Sequence, residues 1–242
     1  MVPWLEPGAP FPDTCNALSD PDGLLAAGAD LSPDTLVRAY SSGIFPWYDA
    51  EHQPILWWSP APRCVFYPEQ IHISRSLRRH LNKTDFTVTL DTTFSTIIAL
   101  CAGPRRDDHG TWISQEMIDA YVNLHEIGYA HSLEVWQSGE IAGGIYGIQL
   151  GGIFFGESMV SPQLNGSKIA LAALQQLTPT LGINLIDAQV ENPHLLSMGA
   201  SMISRETFHQ HLSQWIPDSP QPGAWPRGHW SRDELSGYIK TT

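Results

Sequence analysis

The stretch AHSLEVWQSGEIAGGIYGIQLGGIFFGESM, residues 130–159, decides the fold. Ala130–Trp136, Ile141–Leu150 and Ile153–Met159 are three short β-type runs, and two-residue turns, Ser138-Gly139 and Gly151-Gly152, join them. Runs of this length on turns of this kind make an antiparallel meander. Helical spacing brackets it. Upstream, Met117, Ile118, Tyr121 and Val122 share one face of a helix over about Ser114–Ile127. Downstream come a helix over Asn165–Thr178, a buried strand over Leu185–Val190 closed by Asn192-Pro193, and a last helix from Ser204 to about Trp215. Before the meander, Val65-Phe66-Tyr67 reads as a strand and Ser74–Leu81 as a basic helix. Phe86, Val88 and Leu90 alternate as a strand, and Asp91 caps a helix reaching about Ala102. Helix pairs, a meander, a helix and one more strand make an α+β layer.

The first sixty residues differ in character. They hold one helix, with Ser32 as N-cap, Pro33 at its first position, Leu36, Val37 and Tyr40 on its apolar face and Gly43 to stop it. Two proline-bracketed aromatic clusters, Phe45-Pro46-Trp47-Tyr48 and Ile55–Pro62, cannot continue a helix and mark a seam. The expected organisation is a small N-terminal domain over 1–62, a larger domain with a central, mostly antiparallel sheet over 63–215, and a C-terminal tail over 216–242 that wraps or dangles.

At 242 residues the chain buries about 70–75% of its unfolded surface and needs no metal or disulfide staple. Thirteen Lys and Arg against 25 Asp and Glu give a net charge of −12, which excludes a general nucleic-acid coat; any RNA contact must use a local basic patch. Three cysteines without paired spacing fit free thiols in a reducing compartment. Met1–Pro7 has neither the basic nor the apolar region of a signal peptide, and no apolar run reaches eighteen residues, so a cytoplasmic protein off the membrane is expected.

Several chemistries fail on spacing. His131 stands six residues after His125, not four, with Gly128 between them, so no zinc-protease helix forms. In Gly156-Glu157-Ser158-Met159-Val160 a bulky Met occupies the turn of a nucleophile elbow. Cys64 and Cys101 carry no cue to a low thiol pKa. What stands out is polar groups inside apolar strands: Glu157 in Phe154–Met159, and Asp187 and Gln189 two apart in Leu185–Val190, hence on one face. A carboxylate in such a run must have a partner or line a polar cleft, so a buried structural network and a functional site both fit. Trp47, Trp57, Trp58 and Trp112 fit core filling or a stacking platform. Arg75, Arg78, Arg79 and Lys83 on one short helix fit a solvated face or a phosphate-backbone patch.

The element order is similar to that of GNAT-type acyltransferases, and the strings together closely resemble the bacterial leucyl/phenylalanyl-tRNA–protein transferases. The resemblance rests on Pro21–Gly28, Gly43–Tyr48, Trp57-Trp58-Ser59-Pro60, Ser74–Arg79, Gly110–Ile113, Gly128–Ser132, Phe154–Met159, Asp187-Ala188-Gln189 and Asn192–Leu195. It covers about residues 4 to 212. Ala188 departs from it where cysteine is expected, pointing away from the Asp187/Gln189 face, and Ala29 departs from it where glycine is expected.

The resemblance implies a GNAT-like second domain, no metal or cofactor, and transfer of Leu, Phe or Met from aminoacyl-tRNA to proteins with N-terminal Arg or Lys, creating a degradation signal; we expect a monomer. Under it, Glu157 and Asp187 supply carboxylates for the basic acceptor, and Trp57 and Trp112 an aromatic shelf for the terminal adenosine. Ile145, Phe154, Met159, Leu171 and Ile186 line the aminoacyl pocket, and Arg75, Arg78, Arg79 and Lys83 meet the tRNA. The family role of Gln189 is to accept the amine's proton. A neutral amide is a very weak base, so we expect its carbonyl to aim the amine while Asp187 fixes the amide. On that expectation Gln189→Glu keeps appreciable activity and Asp187→Ala loses most of it. Two rivals stand beside this reading: a coenzyme-A-dependent N-acetyltransferase, for which Pro162–Lys168 is a poor pyrophosphate turn, and a non-enzymatic module that only binds basic N-termini.

Overall fold

A computed structural model describes residues 2–103 and 113–236 of the chain. Two sheets carry it. The N-terminal segment forms the smaller one from β1 (Trp4–Leu5), β2 (Leu24–Gly28), β3 (Phe45–Pro46) and β4 (Leu56–Trp58), in spatial order β1-β2-β4-β3. Helix α1 (Pro33–Ser41) lies between β2 and β3, and the Ser32 side chain accepts the Thr35 N–H at its start. Both proline-bracketed aromatic clusters hold short paired strands, with Phe45 opposite Trp58 and Pro46 opposite Trp57. β3 tolerates its proline because it lies at the sheet edge, where an N–H is dispensable. Ala29, at the position where glycine is expected, has φ 58°, the left-handed region that glycine enters without strain.

The larger sheet takes β5 (Arg63–Phe66), β6 (Thr87–Leu90), β7 (Ala130–Gln137), β8 (Glu140–Leu150), β9 (Ile153–Val160), β10 (Leu185–Gln189), β11 (Ser201–Ile203) and β12 (His229–Ser231). Its order is β11-β5-β10-β9-β8-β7-β6-β12, and every neighbouring pair is antiparallel except β9 with β10. The helices are α2 (Arg75–Lys83), α3 (Phe94–Ala102), α4 (Gln115–Glu126), α5 (Gly166–Leu181), α6 (Pro193–Ser197), α7 (Arg205–Trp215) and α8 (Arg232–Ser236). Strand alternation sorts the interior into two cores. Leu133, Val135, Ile145 and Phe154 pack with Ile169 and Leu174 of α5. Ala130, Ile148, Ile153 and Phe155 pack with Ile97, Met117 and Leu124 of α3 and α4 and with Leu36 and Tyr40 of α1. The architecture is thus α+β with a mostly antiparallel sheet between two helical layers. No helix among the described residues is long and apolar enough to cross a membrane.

Two local outcomes differ from the sequence reading. α5 runs past Thr178 to Leu181 although Pro179 lies inside it; the Thr178 hydroxyl donates to the Gln175 carbonyl that the missing proline N–H leaves open (2.8 Å). Asp91 does not cap α3. It sits at φ 50°, accepts the Ser132 N–H and pairs with His131 (2.8 Å each), while the buried Glu134 faces the start of α3 and accepts the Thr89 and Ser132 hydroxyls (2.5 Å each). The tail wraps. Trp225 stacks on His131 with ring centroids 4.7 Å apart and donates to Gln149 Oε1 (2.6 Å), Gly223 N–H reaches the Gly128 carbonyl, and β12 then adds a strand beside β6.

Candidate active site

β9 and β10 pair only as far as Phe155 opposite Asp187, and both strands bulge at that point. On β9, Tyr146 faces Ser158 and Gly147 faces Gly156, so Glu157 is the extra residue. On β10, Asp187 faces Val65 and Gln189 faces Cys64, so Ala188 is the extra residue, and Gln189 has φ 62°. Bulges re-aim side chains and end pairing. Beyond them opens a cleft of about 490 Å³, with Phe45, Pro46 and Trp47 of the N-terminal unit among its lining together with Glu157, Asp187, Ala188 and Gln189. Ile145, Met159, Leu171 and Ile186 give it an apolar side. α5 is held there by close backbone contact: a Cβ on Gly143 of β8 would lie 2.2 Å from the Gly166 carbonyl carbon at the start of that helix.

The polar groups form two connected sets. Arg63, 1% exposed, donates from Nε and Nη2 to the two oxygens of Asp187 at 2.8 and 2.7 Å, and from Nη1 to the Gly43 carbonyl. Its guanidinium lies between the rings of Phe45 and Phe208, 4.8 and 4.6 Å from their centroids. Asp187 Oδ1 also accepts the Gln189 N–H (2.9 Å), which fixes the left-handed backbone at Gln189. In the second set, Glu157 accepts from Tyr40 (2.6 Å), Tyr121 (3.0 Å) and Gln189 Nε2 (2.7 Å), and the two tyrosine hydroxyls also touch each other. Burial pushes the Glu157 carboxyl up to about 7, against the pull of those three donors; Asp187 nearby adds to the rise. Tyr40 and Tyr121 are likewise held above the ordinary phenol range by burial and by Glu157. With its Nε2 committed to Glu157, Gln189 has its carbonyl oxygen left to accept a hydrogen bond.

The cleft therefore brings together Glu157, Asp187, Gln189, Ile145, Met159, Leu171 and Ile186 of the expected set. Others lie elsewhere. Trp57 is fully buried, packs edge-on against Phe11 and donates its indole N–H to the Gly28 carbonyl, so it offers no open face for stacking. Trp47, 42% exposed, lines the cleft instead, with Trp58 tilted against it and donating to its carbonyl. Phe154 is buried against Trp225 away from the cleft lining. Trp112 lies outside the described residues. Ala188, expected to point away, lines the cleft because the bulge breaks strand alternation. Arg75, Arg79 and Lys83 are exposed on α2 and Arg78 is half-buried, with Leu77 and Leu81 inward. Arg63, Tyr40 and Tyr121 escaped the sequence reading: the tyrosines count as apolar in a helical stripe, and Arg63 follows the prolines of the seam.

Such an arrangement can hold an amine by its hydrogens, beside an apolar slot. A family model described as "Leucyl/phenylalanyl-tRNA protein transferase" matches residues 65–213, and one for the N-terminal domain of the same proteins matches 29–61. The chain is 67% identical to the leucyl/phenylalanyl-tRNA–protein transferase of Alcanivorax borkumensis over 97% of either chain. It is 52% identical to that of Aromatoleum aromaticum over 93% of this chain and 94% of the relative. Among solved structures, an aminoglycoside acetyltransferase from an uncultured soil metagenomic sample matches 59% of this chain and 99% of its own, at 13% identity and a TM-score of 0.34.

Proposed function

The chain belongs to the leucyl/phenylalanyl-tRNA–protein transferase family, and we propose that the cleft between β9 and β10 is where leucine or phenylalanine passes from aminoacyl-tRNA to the N-terminus of an acceptor protein. The protein is an aminoacyltransferase of the N-end rule type, with an aminoacyl-tRNA donor and a protein acceptor. The observation that carries the assignment of the site is the hydrogen-bonded chain Tyr40–Glu157–Gln189, held over an apolar slot at the splayed strand ends. The reaction is ester aminolysis. The amine nitrogen bonds to the ester carbonyl carbon, the ester C–O bond breaks, and the amine's proton leaves with the departing ribose hydroxyl. Gln189 Oε1 accepts a hydrogen bond from the attacking amine and aims it, and the Glu157 carboxylate behind it offsets the positive charge that develops on nitrogen. Asp187 acts one step back, through the Gln189 backbone, with its charge matched by Arg63.

Ile145, Met159, Leu171 and Ile186 form the aminoacyl pocket in this reading, and the unbranched, adaptable Met159 suits Leu, Phe and Met alike. Acceptors begin with Arg or Lys. The stripe of Arg75, Arg79 and Lys83, with Arg78 beside it, meets tRNA phosphates. We assign the transferase role to 63–215 and a wall of the cleft to 1–62, which supplies Tyr40 and Trp47. In this reading the protein acts as a monomer, and its three free cysteines suit the cytoplasm.

The deciding experiment mixes the protein with Phe-charged tRNA and an Arg-initiated peptide, with a Gly-initiated peptide as control. The expected product is a mass gain of one phenylalanine on the first peptide alone; no gain on it overturns the proposal.

Two variants test the details. A base stacked on an aromatic ring is worth about 1–3 kcal/mol, so Trp47→Ala is expected to raise KM for charged tRNA between fivefold and a hundredfold, on that same scale. A KM within twofold of the unaltered protein removes Trp47 from the donor site. Because burial raises Glu157 to about 7, the folded state favours the neutral carboxyl: this contribution to stability is full below the ordinary Glu value and is lost as pH rises through about 7. Activity needs the ionised form and rises across the same range. Tyr40→Phe deletes a donor that favours the carboxylate, so the rising limb of kcat/KM moves to higher pH; a limb that stays in place would show that another group, such as the acceptor amine, sets it.

A further inference from the structure

Three carboxylates line the cleft: Glu157, Asp187 and Glu191. Two of them are committed inside the protein. Asp187 is forked by Arg63 and also takes the Gln189 N–H; Glu157 takes three donors. Neither retains the open geometry that a second cation requires. Glu191 is exposed and has no hydrogen-bond or ion-pair partner among the described residues. Among the described residues no Lys or Arg lines the cleft to neutralise it, and His194 there is held below its ordinary range by burial and by Lys168.

On this reading of the function we infer that Glu191 receives the cationic side chain of the acceptor's first residue, and so sets the preference for Arg or Lys. The geometry of the loop supports it. Residues 190–192 bridge β10 and α6 and are tied at both ends: the Gln189 N–H is held by Asp187, and the Asn192 side chain accepts the Leu195 N–H as the cap of α6. A carboxylate on so short a bridge is carried by a fixed backbone, which reduces the ordering needed on binding. Glu191 follows Gln189 by two residues, at most ~7 Å along the chain. That is comparable with the stem that separates the α-amine of Arg or Lys from the charge at the end of its side chain. With the amine on Gln189, the side-chain cation falls within reach of Glu191. The sequence alone could not single this residue out, since an acidic side chain outside any apolar run reads as ordinary surface.

The test compares the unaltered protein with Glu191→Gln and Glu191→Lys, using Phe-charged tRNA and two peptides that differ only in starting with Arg or with citrulline, its uncharged isostere. An exposed ion pair is worth up to about 1 kcal/mol, so the Arg-to-citrulline ratio of kcat/KM is expected to fall about threefold to fivefold in Glu191→Gln and further in Glu191→Lys. An unchanged ratio overturns the assignment. So does an equal fall with both peptides, which would mark a role in holding the loop. If the unaltered protein modifies neither peptide, the function itself fails and this assignment with it.

Discussion

Asp187→Ala is expected to abolish transfer and to lower stability by about 3–5 kcal/mol, the typical loss when one partner of a buried ion pair is removed. The reason is Arg63. It is buried with its guanidinium between Phe45 and Phe208, and without Asp187 its charge keeps the Gly43 carbonyl and two aromatic faces but no anion. Arg63→Ala is expected to be similarly damaging from the other side. A double variant, Arg63→Met with Asp187→Leu, removes both charges and recovers most of the stability in urea unfolding, since apolar replacement of a whole buried pair is often neutral or better. It stays inactive, because the Gln189 N–H has lost its acceptor. Single variants that lose less than about 1 kcal/mol would place the pair in a more hydrated setting than the structure gives it.

Gln189→Ala is expected to lower kcat about a hundredfold, the usual scale for losing one preorganised polar contact in a transition state. Gln189→Glu is the sharper test, and here the structure changes the expectation drawn from sequence. Gln189 Nε2 lies 2.7 Å from Glu157 Oε1, so a glutamate at 189 would set two carboxyls against each other. Like charges that close share one proton over a wide pH range. With the shared proton present the contact survives and so does activity; once it is lost, the two groups repel. The variant therefore works at lower pH and fails as pH rises, the reverse of the limb expected for the unaltered protein. A profile parallel to the unaltered one, or Gln189→Ala within threefold in kcat, would dismiss the aiming role.

The meander was legible to within a residue or two because period-two runs and Ser-Gly and Gly-Gly turns specify pairing locally. Charge inside an apolar run found Glu157 and Asp187 for the same local reason. The same test applied to Arg63-Cys64-Val65-Phe66 would have found Arg63, had the preceding prolines not drawn that residue into a boundary. Tyr40 and Tyr121 were out of reach. Their hydroxyls matter only because Glu157, 117 and 36 positions away, comes to rest between them. Trp57 was misplaced because strand pairing in the small sheet, invisible locally, turns it inward, while Trp47 lies toward the cleft. Ala188 was misread because alternation assumes an unbroken ladder, and the ladder breaks there.

The placement of β12 bears on how the protein can be handled. Cutting the chain after Trp215 would strip the outer side of β6, leaving its N–H and C=O groups unpaired at a sheet margin, and would uncover the apolar seat of Trp225. Such margins recruit strands from other molecules. A truncated form should therefore self-associate in proportion to its concentration, so its poor recovery would report on colloidal behaviour and not on the chemistry of the cleft.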